Sequence, residues 1–513
     1  MRKTKDLLKS ALSAILAIAM AMVLTPAAAL ADTTTSHTIT INEPSGQGAT
    51  HTYEAYQVFS GTYDSTSKQL QGITWGSGVN GTDLLNALKA DTTLGSKFAN
   101  ATDAPTAAAA MSSLDANETA AMAKIVASHL TETKATSANG KVTVTGDGYY
   151  FLKDVTQQAN IGSDTYSKYI LQVVGDETIT PKDTTTTSEK FVKDTNDSKS
   201  NSTTDWQKVA DYDMGDDVPF ELVGTIASDY ADYTTYEFSF VDSYEKTQFG
   251  GPKNVVVKVD GTAVSKDELT AAGYKLDTTD SGFTISFSNL KKITEISAGS
   301  KVSVEYTAEL LTTANVGSAG NVNKSHITFS NDSNQTGHKG TTPDDTVIVF
   351  TYKVVVNKQN EAYKDLDGAG FTLYKKNANG EYQKVGDELK TGHQFTFTGL
   401  DDGDYKLEES TVPAGYNKMS DIEFSVTSVK DNTGRSLTSI NGIATTGEID
   451  FGTQKASVDE TAGSITATVI NKSGSTLPST GGMGTTVLYI CGAAIAVAAG
   501  YGLYRRHAAR NNA

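Results

Sequence analysis

Through most of this 513-residue chain the apolar residues recur at every second position, in short runs set between turn-forming Gly, Asn, Asp and Thr. "SHTITINEP", "NVVVKVDG", "FTISFSNL", "KVSVEYTAELL" and "YKVVVNKQ" all follow this rule. Alternation of this kind fits a strand with one face in a core and cannot serve a helix, so an all-β chain is expected. One cysteine, Cys491, lies in an apolar run near the C-terminus, so no disulfide is available to staple the sheets. At about 150 residues per domain, the length suggests three units, each burying its own core.

Composition shifts divide the chain. Residues 1–31 carry Arg2, Lys3, Lys5 and Lys9, then an apolar run and small residues at Ala29 and Ala31, the pattern of a secretory signal peptide. Residues 32–182 have strand runs at both ends around an Ala- and Leu-rich stretch with helical spacing, which predicts a β-sandwich with a helical insertion. A Thr-rich linker follows. Residues 183–347 and 348–474 read as two further immunoglobulin-like sandwiches of short strands and Gly-rich turns. In residues 475–513 an apolar span precedes Arg505, Arg506 and Arg510, a membrane segment with a cytoplasmic tail.

The formal charge of −17 repels nucleic acid and anionic lipid, so neither is an expected partner. There is no G-x-S-x-G elbow and no phosphate-binding glycine loop, and the histidines are scattered. A turnover enzyme is not expected, nor is a cofactor or a metal. The acidic run "DYDMGDD" (Asp211, Asp213, Asp216, Asp217) reads as a solvated turn, with a hard-cation site as the alternative.

In "KVVVNK", Lys358 falls on the same strand face as Val354 and Val356, and is therefore directed into a core. Desolvation favours its free amine, a nucleophile, while a buried carboxyl nearby would stay protonated and polarise an asparagine carbonyl. Attack expels ammonia and leaves an amide cross-link. The third unit resembles the Cna B-type, prealbumin-like (SpaA-like) domains of Gram-positive surface proteins, through "YKLEESTVPAGY" and "VINK". The resemblance implies Lys358 as amine, Glu409 as catalytic acid and Asn471 as electrophile. Ser410 and Val412 depart from the family's Thr and Ala.

The second unit resembles the isopeptide-forming fimbrial D2 domain, related to the Cna A type, through "SEKFVKDTNDS", "FVDSY" and "GNVNKSHITFSN". That implies Lys190 as amine, Asp242 as acid and Asn331 as electrophile, with Lys193 and Asn323 as alternates. The first unit also resembles a B-type fold, and its "YYFLKD" sets Asp154 at the acid's place, but its terminal strands offer neither lysine nor asparagine. No bond is expected there, and Asp154 reads as a structural polar residue.

"LPSTGG" (Leu477, Pro478, Ser479, Thr480, Gly481), followed by the apolar span and arginines, resembles the sortase sorting signal. It implies cleavage after Thr480 and a threonine acyl donor. In sortase-assembled major pilins the acceptor lysine closes a short motif at the end of the first domain, and Lys182 in "ETITPK" occupies that place. The implied protein is a backbone subunit of a cell-wall pilus. Its partners would be identical subunits, a sortase, minor tip or base pilins and peptidoglycan. The alternative is a wall-anchored monomeric adhesin with a host ligand.

Overall fold

Each alternating run forms a strand with its apolar residues on one face, and the faces pair into sandwiches. The computed structural model describes residues 35–42, 51–156, 168–180, 185–333, 337–446, 457–474 and 493–501. They build three β-sandwiches in succession, the first carrying a helical insertion.

In the first unit, strand Ser36–Ile41 lies between Lys141–Thr145 and, in parallel, Glu177–Ile179. The facing sheet is centred on Tyr53–Asp64 and Gly148–Asp154. Tyr150 and Leu152 pack between the sheets, while Tyr149 and Phe151 lie under the helices. Burial on both faces explains why "YYFL" within this strand is apolar without a break. The insertion includes Gly81–Ala90 and Ala104–Met111, which start at Asn80 and at an Asp103 capping box.

The second unit packs a five-stranded sheet against a seven-stranded one. Thr187–Val192, Asp217–Thr225 and Lys301–Glu309 belong to the first, and Phe238–Tyr244, Asn321–Ser330 and Asp345–Phe350 to the second. Phe220, Leu222, Phe238, Phe240, Val304, Ile327 and Phe329 fill the space between them. The expected boundary at 347/348 cuts through a strand of this sheet: Val347, Ile348 and Val349 pair with Asn323, Val322 and Asn321. The third unit begins at Tyr352, with a single residue between it and that strand.

In the third unit the first and last strands, Tyr352–Asn360 and Ser464–Asn471, run parallel side by side, with Lys358 opposite Val469. The second sheet contains Gly370–Lys376, Gly403–Thr411 and Ile422–Asp431. Of the expected membrane span only residues 493–501 are described, and they are helical. Among the described residues no helix is long and apolar enough to cross a membrane.

Candidate cross-linking sites

Lys358 lies on the inward face of its strand with Val354 and Val356, and is fully buried. Its Nζ donates to Asn471 Oδ1 at 2.8 Å, and Asn471 Nδ2 donates to Glu409 Oε1 at 2.7 Å. The other Glu409 oxygen accepts from the Met419 backbone N–H at 2.9 Å. Lysine and asparagine thus come from neighbouring strands of one sheet, and the acid comes from the facing sheet. Burial lowers the Lys358 amine to about 8, against the raising effect of the Glu409 charge. The structure brings together all three residues expected here.

In the second unit Lys190 is completely buried beneath the Phe220 and Tyr306 rings, 5.2 and 5.4 Å from their centroids. Its Nζ makes a short contact with Asp242 Oδ2 and donates to the Tyr306 hydroxyl at 3.0 Å. Tyr306 donates to Asp242 Oδ2 at 2.9 Å and accepts from Asn323 Nδ2 at 3.0 Å. Burial lowers the Lys190 pKa and raises that of Asp242, each opposed by the other's charge, so burial favours the neutral amine and the neutral acid. Two acceptors, Asp242 Oδ1 and Asn323 Oδ1, are buried without a hydrogen-bond partner.

The asparagine in this cluster is Asn323, not the expected Asn331. Both belong to one extended segment, Asn323 opposite Tyr244 and Asn331 just beyond the strand's far end, where its N–H donates to the His338 carbonyl. Eight residues at about 3.3 Å each separate them by roughly 26 Å, beyond any side chain's reach. The alternate lysine, Lys193, stacks over the Trp206 ring at 4.6 Å and takes no part in the cluster. Tyr306 went unnoticed in the sequence because "KVSVEYTAELL" presents it as one more alternating core residue. In the first unit Asp154 is buried against His51, 2.6 Å from its Nδ1, and accepts the Thr156 N–H at 2.9 Å.

"DYDMGDD" is not simply a solvated turn, since Asp211 and Asp213 lie between the second and third units. Lys375 reaches Asp197 at 2.6 Å, Asp213 at 2.7 Å and, in a shorter contact, Asp401. Lys430 reaches Asp194 at 2.8 Å and contacts Asp211 more closely. Asp401 N–H donates to Asp213, Asp402 N–H to Asp211, and Arg435 to Asp345. Carboxylate oxygens of Asp197, Asp213 and Asp401 lie within 4.8 Å of one another, but the Lys375 ammonium already occupies the position a cation would take. Burial would lower both lysines, but the aspartates more than reverse it. Burial and the Asp211 charge push Asp402 up to about 8 despite Lys430.

Lys182 and the motif Leu477, Pro478, Ser479, Thr480 and Gly481 lie outside the described residues.

This geometry defines a class: tandem β-sandwiches with buried lysine–asparagine–acid clusters in the second and third. Residues 352–442 match the SpaA family of prealbumin-like fold domains, so the third unit is a domain of that type. No match is found among curated proteins. Of solved structures, the T6 backbone pilin of serotype M6 Streptococcus pyogenes, described as a modular three-domain structure, is similar with a TM-score of 0.53 at 15% identity, covering 87% of this chain and 100% of that one. The full-length major pilin SpaD from Corynebacterium diphtheriae is similar with a TM-score of 0.46 at 15% identity, covering 86% and 97%. The likeness to T6 shows a shared fold along the chain.

Proposed function

We propose that this chain is a structural backbone subunit of a covalently polymerised surface pilus, in which a sortase joins Thr480 of one copy to Lys182 of the next. The observation that carries this reading is the Lys358–Asn471–Glu409 cluster, a buried amine 2.8 Å from an amide that also bonds a buried acid. The three-domain fold shared with a backbone pilin supports it, as does the order of sorting motif, apolar span and arginines. A head-to-tail joint of this kind does not close on itself and gives a filament.

Within each subunit two amides form, Lys358–Asn471 and Lys190–Asn323. The neutral Nζ attacks Cγ of the asparagine, Nζ gives up a proton, and Nδ2 leaves as ammonia. In the third unit a half-turn of the Asn471 amide places its carbonyl on a protonated Glu409 and the leaving nitrogen beside Lys358. In the second unit a proton on Asp242 Oδ1, directed at the Asn323 carbonyl, would satisfy both orphaned acceptors.

The polymer is tested in the native host with Lys182→Ala. The wild type is expected to give a high-mass ladder on a denaturing gel, and the variant only monomer. A ladder unchanged by the substitution overturns Lys182 as acceptor. A wild type without any ladder overturns the polymer itself.

A further inference from the structure

The Lys190 cluster contains one group that the Lys358 cluster lacks. Tyr306 is fully buried, and its hydroxyl oxygen is 3.0 Å from Lys190 Nζ, 3.0 Å from Asn323 Nδ2 and 2.9 Å from Asp242 Oδ2. Nucleophile, leaving group and acid therefore all touch one phenol. Phe220 stacks on its ring at 5.3 Å and Phe283 meets it edge-on at 4.9 Å, so its position is fixed by packing. In the third unit Lys358 Nζ has the Asn471 amide and the Gln359 and Val469 backbone carbonyls around it, and Glu409 alone bonds the asparagine nitrogen.

We propose that Tyr306 is a catalytic residue of the second unit's cross-linking reaction, relaying a proton from the attacking Lys190 nitrogen to the departing Asn323 nitrogen. This rests on the amide-forming reading above. Addition of Nζ to Cγ leaves an extra proton on Nζ and removes amide resonance from Nδ2, which becomes basic. The Tyr306 O–H passes its proton to Nδ2 and takes the one on Nζ. The Cγ–Nδ2 bond then breaks, ammonia departs, the Nζ–Cγ amide remains, and the phenol is unchanged. Asp242 is left to one task, holding the carbonyl oxygen, whereas Glu409 must both polarise and shuttle. Burial and the Asp242 carboxyl hold the phenol's pKa well above its ordinary value, so it enters the step protonated.

The test follows both bonds in the full chain made by pulsed cell-free synthesis, with samples quenched, unfolded, digested and assayed by mass spectrometry for two branched peptides. In Tyr306→Phe the Lys190–Asn323 peptide is expected to form at least 100-fold more slowly, at the low end for a positioned acid–base group. The Lys358–Asn471 peptide keeps its wild-type rate and serves as the internal clock. Wild-type kinetics at Lys190 in this variant overturn the relay and leave the amide reading standing. Absence of the Lys190–Asn323 peptide from the wild type overturns both. A second variant guards against misfolding: a ring-fluorinated tyrosine at 306 keeps the shape and the hydroxyl but has a more acidic phenol. It is expected to restore the bond at an altered rate, and a rate identical to wild type overturns the relay.

Discussion

Glu409→Gln replaces one oxygen of a fully buried side chain and leaves its shape intact. An amide cannot supply the acid's proton, so Lys358 and Asn471 should remain unjoined. The bond spans 113 residues, and a constraint of that length removes about 5 kcal/mol of unfolded-state entropy by analogy with a disulfide. The native carboxyl group also accepts two N–H groups, from Asn471 and Met419, and glutamine's single carbonyl leaves one unmet at a cost of about 1 kcal/mol. For a unit of about 120 residues, melting entropy near 0.25 kcal/mol/K turns the 5 kcal/mol into a drop in Tm of roughly 20 °C. Lys358→Met, a near-isosteric change, disturbs other contacts but loses the same bond, so the loss shared by the two variants measures the constraint. The assay pairs calorimetry of the third unit's transition with mass spectrometry. The wild type should be about 34 Da lighter than its sequence for two lost ammonias, and either variant about 17 Da lighter. Glu409→Gln with the full deficit refutes Glu409 as the acid, and Lys358→Met with the full deficit refutes Lys358 as the amine. A variant that loses one ammonia and melts within a few degrees of wild type refutes the loop-closure reasoning.

Asn323→Ala should abolish the second unit's branched peptide while Asn331→Ala leaves it, and the reverse result would restore the sequence-based assignment. With burial lowering the Lys358 amine to about 8, its neutral fraction in an Asn471→Ala variant, which cannot form the bond, should climb about tenfold per pH unit below 8 and flatten above, which nuclear magnetic resonance of the lysine Nζ from pH 6 to 9 would measure. Lys375→Met leaves Asp401 and Asp213 buried without their cation, a loss of about 3 to 5 kcal/mol. Small-angle scattering should then find the second and third units splayed relative to wild type, and an unchanged profile would rule out an ionic lock.

The strands were legible because alternation is a local signal with a direct physical cause. Lys358 was legible for the same reason, its parity with Val354 and Val356 being visible within a few residues of sequence. The Asn323/Asn331 choice depends instead on the register between strands far apart in the chain. Both lie on the same strand parity, so periodicity cannot separate them; only the pairing of Asn323 with Tyr244, beside Asp242, does. The boundary near 347 was obscured because "TVIVFTYKVVV" runs through two sheets with no Gly, Pro, Asn or Asp to mark a turn. Thr351, fully buried, is the single residue between strands of different units.

The acidic joint was illegible for a different reason, and its chemistry carries the last prediction. "DYDMGDD" looks solvated because nothing local neutralises it; the cations stand on strands more than 160 residues later. Two lysines there meet six aspartates, an excess of negative charge that burial makes costly. The protein answers by retaining protons: burial, with neighbouring aspartates, raises Asp194 and Asp216 to about 6 and Asp402 to about 8, while Lys430 overrides burial to hold Asp211 low. Of these, Asp402 faces the Asp211 charge only across the joint, so its pKa is higher in the docked state and it binds more protons there than in the separated state. The docked state therefore loses stability as pH rises through about 5 to 8. Asp211, with its lowered value, contributes the opposite slope only below the ordinary carboxylate range, outside this window. Energy transfer between dyes on the second and third units should accordingly report tighter docking at pH 5.5 than at pH 8. Docking that tightens as pH rises would show that the aspartates are ionised throughout and that the lysines alone set the balance.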